Sequence, residues 1–87
     1  MKDEIKLIIP SKSANEAFAR VAVGAFIARF DPTIDEINDI KTAVSEAVTN
    51  SIVHAYKDTI GKIYITAAEE NGNVKIKIRD YGVGIPD

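Results

Sequence analysis

Residues 62–80 read KIYITAAEENGNVKIKIRD, and this stretch predicts a β-hairpin. Asn71-Gly72 is the strongest short signal for a two-residue hairpin turn. On both sides of it apolar residues occupy every second position, which is the period of a strand with one buried face. These residues are Ile63, Ile65 and Ala67 before the turn, and Val74, Ile76 and Ile78 after it. Because Lys and Arg fill the alternate positions of the second strand, we expect that strand to be half-buried.

A long helix is predicted before the hairpin. Thr33 and Glu36 have the spacing of a capping box, which marks a helix start. Apolar residues then recur at helical spacing to about residue 56. They are Ile37, Ile40, Val44, Val48, Ile52 and Ala55. The pattern predicts one continuous helix with a single stripe facing the core.

Two more elements are predicted nearer the amino terminus. Residues 5–9 are rich in branched apolar side chains and are followed by Pro10, which is typical of a strand at a sheet edge. Ser13 and Glu16 repeat the capping-box spacing and predict a helix over residues 14–30. The order is therefore β-α-α-β-β, and the predicted fold class is α+β.

The first helix is apolar on nearly every side, so it needs cover on nearly every side. One side carries Phe18, Val21, Ala22, Ala25 and Ala28, and the other carries Val23, Phe26, Ile27 and Phe30. Two interpretations stay open. Either the helix is sandwiched within its own fold, or it forms a homodimer or partner interface. For an interface, Arg20 and Phe26 are the predicted contact residues, since an Arg on an apolar surface is a common anchor.

Composition narrows the function classes. The chain has 87 residues, enough for one small domain, and a formal net charge of −2. Binding of nucleic acid by charge alone is therefore not expected. There is no Cys and a single His, which argues against Cys-based zinc sites and multi-histidine metal sites. No apolar run is long enough to span a membrane, and the charged start lacks a signal-peptide cleavage site. We therefore expect a cytoplasmic protein without membrane contact.

Two positions break the pattern of core and surface. Glu46 and Asn50 share one face of the second helix, opposite its core stripe and flanked by the small residues Ala43 and Ala47. This face is either a solvated helix side or the wall of a cavity. Asp80 falls on the buried side of the last strand, where a carboxylate is costly without a donor. It either ends the strand in a simple turn or faces a ligand.

These two positions carry a resemblance to a known family. Residues 45–56, SEAVTNSIVHAY, resemble the N-box of the GHKL ATPase and kinase superfamily. Asp80-x-Gly82-x-Gly84 resembles its first glycine box, 30 residues after Asn50 and beyond the hairpin. The form Glu-Ala-x-x-Asn is most similar to the anti-sigma-factor serine kinases. The resemblance covers essentially the whole chain and implies a two-layer sandwich of helices on a mixed sheet.

The resemblance also implies a function. Such a protein binds and inhibits a sporulation sigma factor and, with ATP and Mg²⁺, phosphorylates a serine on its anti-anti-sigma partner. A homodimer is the expected assembly. The alternative is an ATP-sensing module that binds a sigma factor without kinase activity. A third and weaker interpretation is the ATPase half of a sensor histidine kinase.

Site roles follow from the same resemblance. It implies that Asn50 holds Mg²⁺ and that Glu46 is the general base toward the serine hydroxyl. Asp80 would accept a hydrogen bond from the adenine amine, while Gly82 and Gly84 would let the backbone pass close to the nucleotide. His54, one turn beyond Asn50, would either face phosphate or simply finish the helix.

The chain ends at Asp87, directly after the first glycine box. In the family a flexible ATP lid, a second glycine-rich segment and further strands follow this point. We therefore expect residues 1–87 to be the amino-terminal part of a domain of about 140 residues. On this expectation the chain alone binds ATP weakly or not at all, and one sheet edge is unpaired.

Overall fold

The computed structural model describes residues 2–55 and 58–80, and in them the five predicted elements occur in the predicted order. The strands and helices are β1 (Asp3–Pro10), α1 (Ala14–Ala28), α2 (Ile34–Asn50), β2 (Lys62–Glu70) and β3 (Asn73–Asp80). A π-helical turn at Ser51–Ala55 continues α2. The α+β fold class is confirmed.

Within residues 2–55 and 58–80 the three strands form one sheet in the order β1-β2-β3, and β1 lies at an edge of it, as predicted. Both pairings are antiparallel, and Ile65 in the central strand lies opposite Leu7 on one side and Ile78 on the other. The three described strands therefore form an antiparallel sheet, whereas the resemblance implies a mixed sheet for a whole domain.

The hairpin between β2 and β3 has the predicted turn. Asn71 has φ 55° and Gly72 has φ 84°, so both central residues adopt left-handed conformations. This is the type I′ geometry, whose twist matches that of the flanking strands. It makes Glu70 and Asn73 the last paired residues and fixes the register of the whole hairpin.

The core lies between the two helices and one face of the sheet. Its largest fully buried side chains come in pairs from α1, α2 and β2: Val23 and Ile27, Val44 and Val48, and Ile63 and Ile65. The predicted alternation of β3 is confirmed, but its inner residues are only half-buried. Cover by the helices therefore thins toward the β3 edge of the sheet.

Helix α1 is buried on one side only. Val23, Phe26 and Ile27 lie in the core, whereas Phe18 is 54% exposed and Val21 is 62% exposed. The fold thus supplies the cover predicted for one side of the helix, and the other side faces outward. The helix ends at Ala28 rather than at residue 30, and Asp31 reverses the chain with a φ of 56°.

The two predicted capping boxes have different outcomes. At α2, the Glu36 N–H donates to Thr33 Oγ1 at 3.1 Å, and the Thr33 N–H donates to Glu36 Oε1 at 2.8 Å. These contacts with Thr33, from its backbone first and its side chain second, lower the pKa of Glu36. At α1 the prediction is wrong, because Ser13 has helical dihedral angles and its side chain caps nothing. Glu16 instead accepts a hydrogen bond from Ser45.

Within residues 2–55 and 58–80, no helix has the length and apolar character needed to cross a membrane.

Candidate nucleotide site

An open apolar cleft of about 310 Å³ separates α2 from β3. Its walls are Ile40, Ala43, Val44 and Ala47 of the helix, and Ile76 and Ile78 of the strand. Two of the four helix residues that line it are alanines, Ala43 and Ala47, whose small side chains leave space beside the strand. Its walls come from the helix and from the strand and are apolar, which is the usual character of a pocket for a ring-shaped ligand.

Asp80 lies at the end of β3, on the face that carries Ile76 and Ile78. It is half-buried, and its Oδ2 accepts a hydrogen bond from the Ser51 hydroxyl at 2.6 Å. A carboxylate has about four acceptor positions, so this contact is compatible with a further bond to a ligand amine. The predicted placement of Asp80 on the inner face of the sheet is confirmed.

Ser51 is a site residue that the sequence analysis missed. It is the first residue of the π-helical turn and is only 5% exposed. π-Helical turns are rare and are frequent at functional sites, and they leave no periodic signal in a sequence. One signal did exist, because Ser51 falls on the apolar stripe of α2, three residues after Val48. A hydroxyl in such a stripe needs a hydrogen-bond partner.

Glu46 and Asn50 are both exposed and lie one turn apart near the end of α2. The Glu46 side chain lines a polar pocket, whose other lining residues are Arg20, Asn38, Lys41, Thr42 and Ser45. The predicted cavity around the pair is therefore divided. Ala43 and Ala47 line the apolar cleft, whereas Glu46 faces the polar pocket on the α1 side of the same helix.

Arg20 belongs to a small polar network that joins the two helices. Its Nε lies 3.5 Å from Glu16 Oε2, and the same Glu16 oxygen accepts a hydrogen bond from Ser45 Oγ at 2.5 Å. Arg20 and Glu46 thus line one pocket, although their sequence positions did not suggest it. The guanidinium stays partly exposed beside that pocket.

Phe26 is not where the sequence analysis placed it. It is 5% exposed and packs edge-to-face on Phe30, with ring centroids 5.2 Å apart. The Arg29 guanidinium lies 5.1 Å from the centre of the Phe26 ring and closes over it. Phe26 is therefore a core residue rather than an interface residue. The exposed aromatic residue of α1 is Phe18.

The remaining predicted residues lie at or beyond the edge of the described structure. His54 is exposed within the π-helical turn, and its role stays a prediction. Gly82 and Gly84 lie outside the described residues. The predicted ligand for Mg²⁺, Asn50, is exposed, and its amide oxygen is a hard neutral donor of the kind that suits that ion. In the described residues no group of three or more His, Asp or Glu side chains could hold a metal. A magnesium ion at Asn50 would therefore take its other ligands from water and phosphate.

Comparison with known proteins identifies the family. Residues 9–87 match the model of the histidine kinase-like ATPase domain. The chain belongs to this family of ATP-binding domains.

The chain is also similar over its whole length to proteins named anti-sigma F factor. It is 53% identical to the protein of Bacillus licheniformis, 54% identical to that of Oceanobacillus iheyensis and 52% identical to that of Geobacillus kaustophilus. Each comparison covers 100% of this chain and 60% of the relative. The chain thus spans about three-fifths of the length of the curated relatives it matches.

Proposed function

We propose that this chain forms the adenine-binding part of an anti-sigma factor that is also an ATP-dependent protein serine kinase. The observation that carries the proposal is Asp80, which accepts a hydrogen bond from Ser51 and lies two residues beyond Ile78 on the face of β3 that lines the apolar cleft. A purine has two apolar faces and an amine donor at its edge, so a slot with a carboxylate at one end is complementary to adenine. Similarity to proteins named anti-sigma F factor supports a sigma factor as the bound partner, and we propose that it is a sporulation sigma factor.

In this proposal the ring lies between the two walls of the cleft. Ala43 and Ala47 leave room on the helix side, and Ile76 and Ile78 contact the ring from the strand side. Asp80 accepts a hydrogen bond from the exocyclic amine. Gly82 and Gly84 follow directly, and glycine lets backbone approach a ligand closely.

The phosphates would lie toward the carboxyl end of α2. There Asn50 would hold the magnesium ion through its side-chain oxygen, and His54, one turn further on, would face the phosphates. When bound, Mg²⁺ supplies neutralisation of the phosphate charge during transfer. The exposure of Asn50 leaves its oxygen accessible for this role.

Glu46 is the proposed general base. The hydroxyl oxygen of the substrate serine attacks the γ-phosphorus, the bond from that phosphorus to the leaving ADP oxygen breaks, and the serine proton passes to the Glu46 carboxylate. Because Glu46 is exposed, a serine on an anti-anti-sigma protein can reach it. Arg20 lines the same pocket and is the proposed contact for the protein partner.

A second candidate function is an ATP-sensing module that binds a sigma factor without kinase activity. The observation that favours it is the position of Glu46. Its side chain opens into the polar pocket shared with Arg20, not into the apolar cleft. In this alternative Glu46 and Arg20 both contact the partner protein. The bound nucleotide only changes the conformation of the domain and is not a substrate.

The proposed assembly is a homodimer through the exposed side of α1. Phe18 and Val21 expose apolar surface there, and the small residues Ala25 and Ala28 permit close approach of a second helix. A cytoplasmic location is part of the same proposal, because an anti-sigma factor must bind its sigma factor in the compartment where transcription takes place.

The test uses the natural-length protein that contains this chain, and measures ATP affinity together with phosphate transfer. Asp80→Asn should weaken ATP binding about tenfold or more, since a hydrogen bond to a charged group contributes about 1.5–3 kcal/mol. Asp58→Asn, which changes an exposed loop carboxylate, is the matched control and should leave the affinity unchanged. Unaltered ATP binding by Asp80→Asn would contradict the adenine site.

Glu46→Gln separates the two candidate functions in the same assays. For the kinase, phosphate transfer should fall by about 100-fold or more, the usual size of a general-base contribution, while ATP affinity stays the same. Asp39→Asn, on the exposed side of the same helix, is the control for loss of one charge. Transfer that continues unchanged in Glu46→Gln rules out the base, and absence of transfer from the native protein favours the sensing module.

A further inference from the structure

The outer face of the sheet, which points away from both helices, is strongly basic. Strand alternation places Lys6 of β1 and Lys75 and Lys77 of β3 on it, all exposed. With Lys2, Lys62 and Arg79 on the same face, it carries more than half of the eleven Lys and Arg residues of the chain. The formal net charge of the chain is −2, so positive charge is concentrated here.

A depression runs along this face over the central strand. Thr66 and Ala68 form its floor, Lys75 and Lys77 line it on the β3 side, and Lys2 lines it on the β1 side. We call these five residues the basic trough. The depression measures about 350 Å³ and exists because the central strand carries small side chains between strands that carry long ones.

The charge of the trough is only partly neutralised within the described residues. Lys2 lies 3.4 Å from Glu4, but neither Lys75 nor Lys77 has a carboxylate within ion-pair distance in residues 2–55 and 58–80. Lys6 is likewise without such a partner in this part of the chain and extends the positive surface, since it pairs with Thr66 opposite Lys77. Three neighbouring ammonium groups are therefore available to an anionic partner.

The spacing of these charges indicates the shape of the partner. Lys75 and Lys77 are two residues apart on one strand, and so about 6.6–6.8 Å apart. Alternate side chains of an extended peptide have the same spacing. A peptide lying along the trough with an acidic residue at every second position would therefore meet successive lysines in register.

Single-stranded nucleic acid fits this face less well. Such ligands stack successive bases on several aromatic side chains, and among the described residues this face carries Tyr64 alone. Glu4 and Glu70 also line the depression and would repel a regular row of phosphates. An acidic peptide avoids both difficulties, because it needs no stacking and its uncharged positions can lie beside the glutamates.

We propose that the basic trough binds an extended, acid-rich segment of a partner protein, with Asp or Glu at alternate positions. The surface is separate from the nucleotide cleft, although both use β3. Ile76 and Ile78 face the cleft, while Lys75 and Lys77 face the trough. Peptide and nucleotide can therefore be bound at the same time on opposite sides of one strand.

The experiment measures fluorescence anisotropy of a labelled peptide of alternating Glu and Thr, titrated with the natural-length protein. Lys75→Gln/Lys77→Gln should weaken binding about tenfold, and Lys77→Gln alone about threefold, as expected for exposed charge pairs. Lys12→Gln removes one exposed charge away from the trough and should leave the affinity unchanged. ATP affinity should be the same in all four proteins.

Several outcomes overturn the proposal. They are absence of peptide binding by the native protein, and equal weakening by Lys12→Gln and Lys77→Gln. A preference for labelled oligothymidine over the peptide would assign the face to nucleic acid instead. If the double variant changes the sedimentation of the protein but not peptide binding, the face contacts a second copy of the chain.

Discussion

Helices α1 and α2 begin with the same local sequence pattern but are stabilised by different contacts. At α2, Thr33 and Glu36 exchange hydrogen bonds within one turn, and the helix start depends on no other element. At α1, Ser13 caps nothing, and Glu16 is bonded to Ser45 of the neighbouring helix and paired with Arg20. The same spacing therefore serves a local cap in one helix and a tertiary contact in the other.

The difference lies in the surroundings of the two glutamates. Glu36 is exposed, so its nearest donors are those of its own turn. Glu16 is half-buried at the seam between α1 and α2, where the Ser45 hydroxyl and the Arg20 guanidinium are within reach. A charge-assisted contact to another helix thus replaces the cap. We infer that α1 depends mainly on packing and that α2 has a start encoded locally.

The largest expected effect comes from removing the packing of α1. Phe26→Ala should lower the free energy of unfolding by about 3–5 kcal/mol, because it empties a buried aromatic position. Phe18→Ala, on the exposed side of the same helix, should change the free energy of unfolding of the monomer, measured at a protein concentration at which the proposed dimer is dissociated, by at most about 0.5 kcal/mol. Denaturant unfolding of the natural-length protein measures both. Similar losses in the two variants would contradict a helix held by one buried side.

A smaller effect separates the two helix starts. Thr33→Ala should cost about 1 kcal/mol of unfolding free energy, the usual value for a lost helix cap. Ser13→Ala removes a side chain that makes no cap and should cost at most a few tenths of a kcal/mol. The same unfolding measurement compares them. A cost for Ser13→Ala equal to that of Thr33→Ala would mean that α1 is also capped locally.

The smallest effect is a dependence on pH. The Thr33 contacts lower the pKa of Glu36 in the folded protein, so the stability it contributes is present above its unfolded pKa. That contribution is lost as the pH falls through the lowered folded value. The stability difference between the native protein and Glu36→Gln should therefore shrink with acidification. If this stability difference instead grows as the pH falls, the pKa of Glu36 is raised in the folded protein and not lowered.

The sequence was sufficient for the elements whose signals are local. The Asn71-Gly72 turn, the alternation of β2 and the Thr33 cap were all predicted, because each depends on the backbone preferences of a few adjacent residues. The start of α1 at Ala14 was also predicted, but the contact that Glu16 makes there and the end of α2 were not. The first depends on Ser45 of another helix, and the second on a change of hydrogen-bond spacing after Asn50 that no periodic pattern records.

The candidate site was predictable in its residue types and only partly in its arrangement. The inner-face position of Asp80 follows from strand alternation. The separation of Glu46 and Asn50 by one helical turn follows from helical spacing. The pairing of Asp80 with Ser51 joins positions 29 apart, and the pocket that unites Glu46 with Arg20 spans two helices. Such contacts depend on how elements pack, which a single sequence does not specify. Phe26 was misplaced for the same reason, since both sides of α1 are apolar and only packing selects the buried one.

The type I′ turn at Asn71-Gly72 has a consequence for both surfaces of β3. A slip of this strand by one residue would turn every side chain to the opposite face. The lysines would then enter the space between helix and strand, and the isoleucines would face solvent. The left-handed conformations of Asn71 (φ 55°) and Gly72 (φ 84°) therefore keep the apolar cleft and the basic trough on opposite faces of β3. Replacing Gly72 with a β-branched residue would disturb both surfaces at once, although Gly72 itself lines neither the cleft nor the depression.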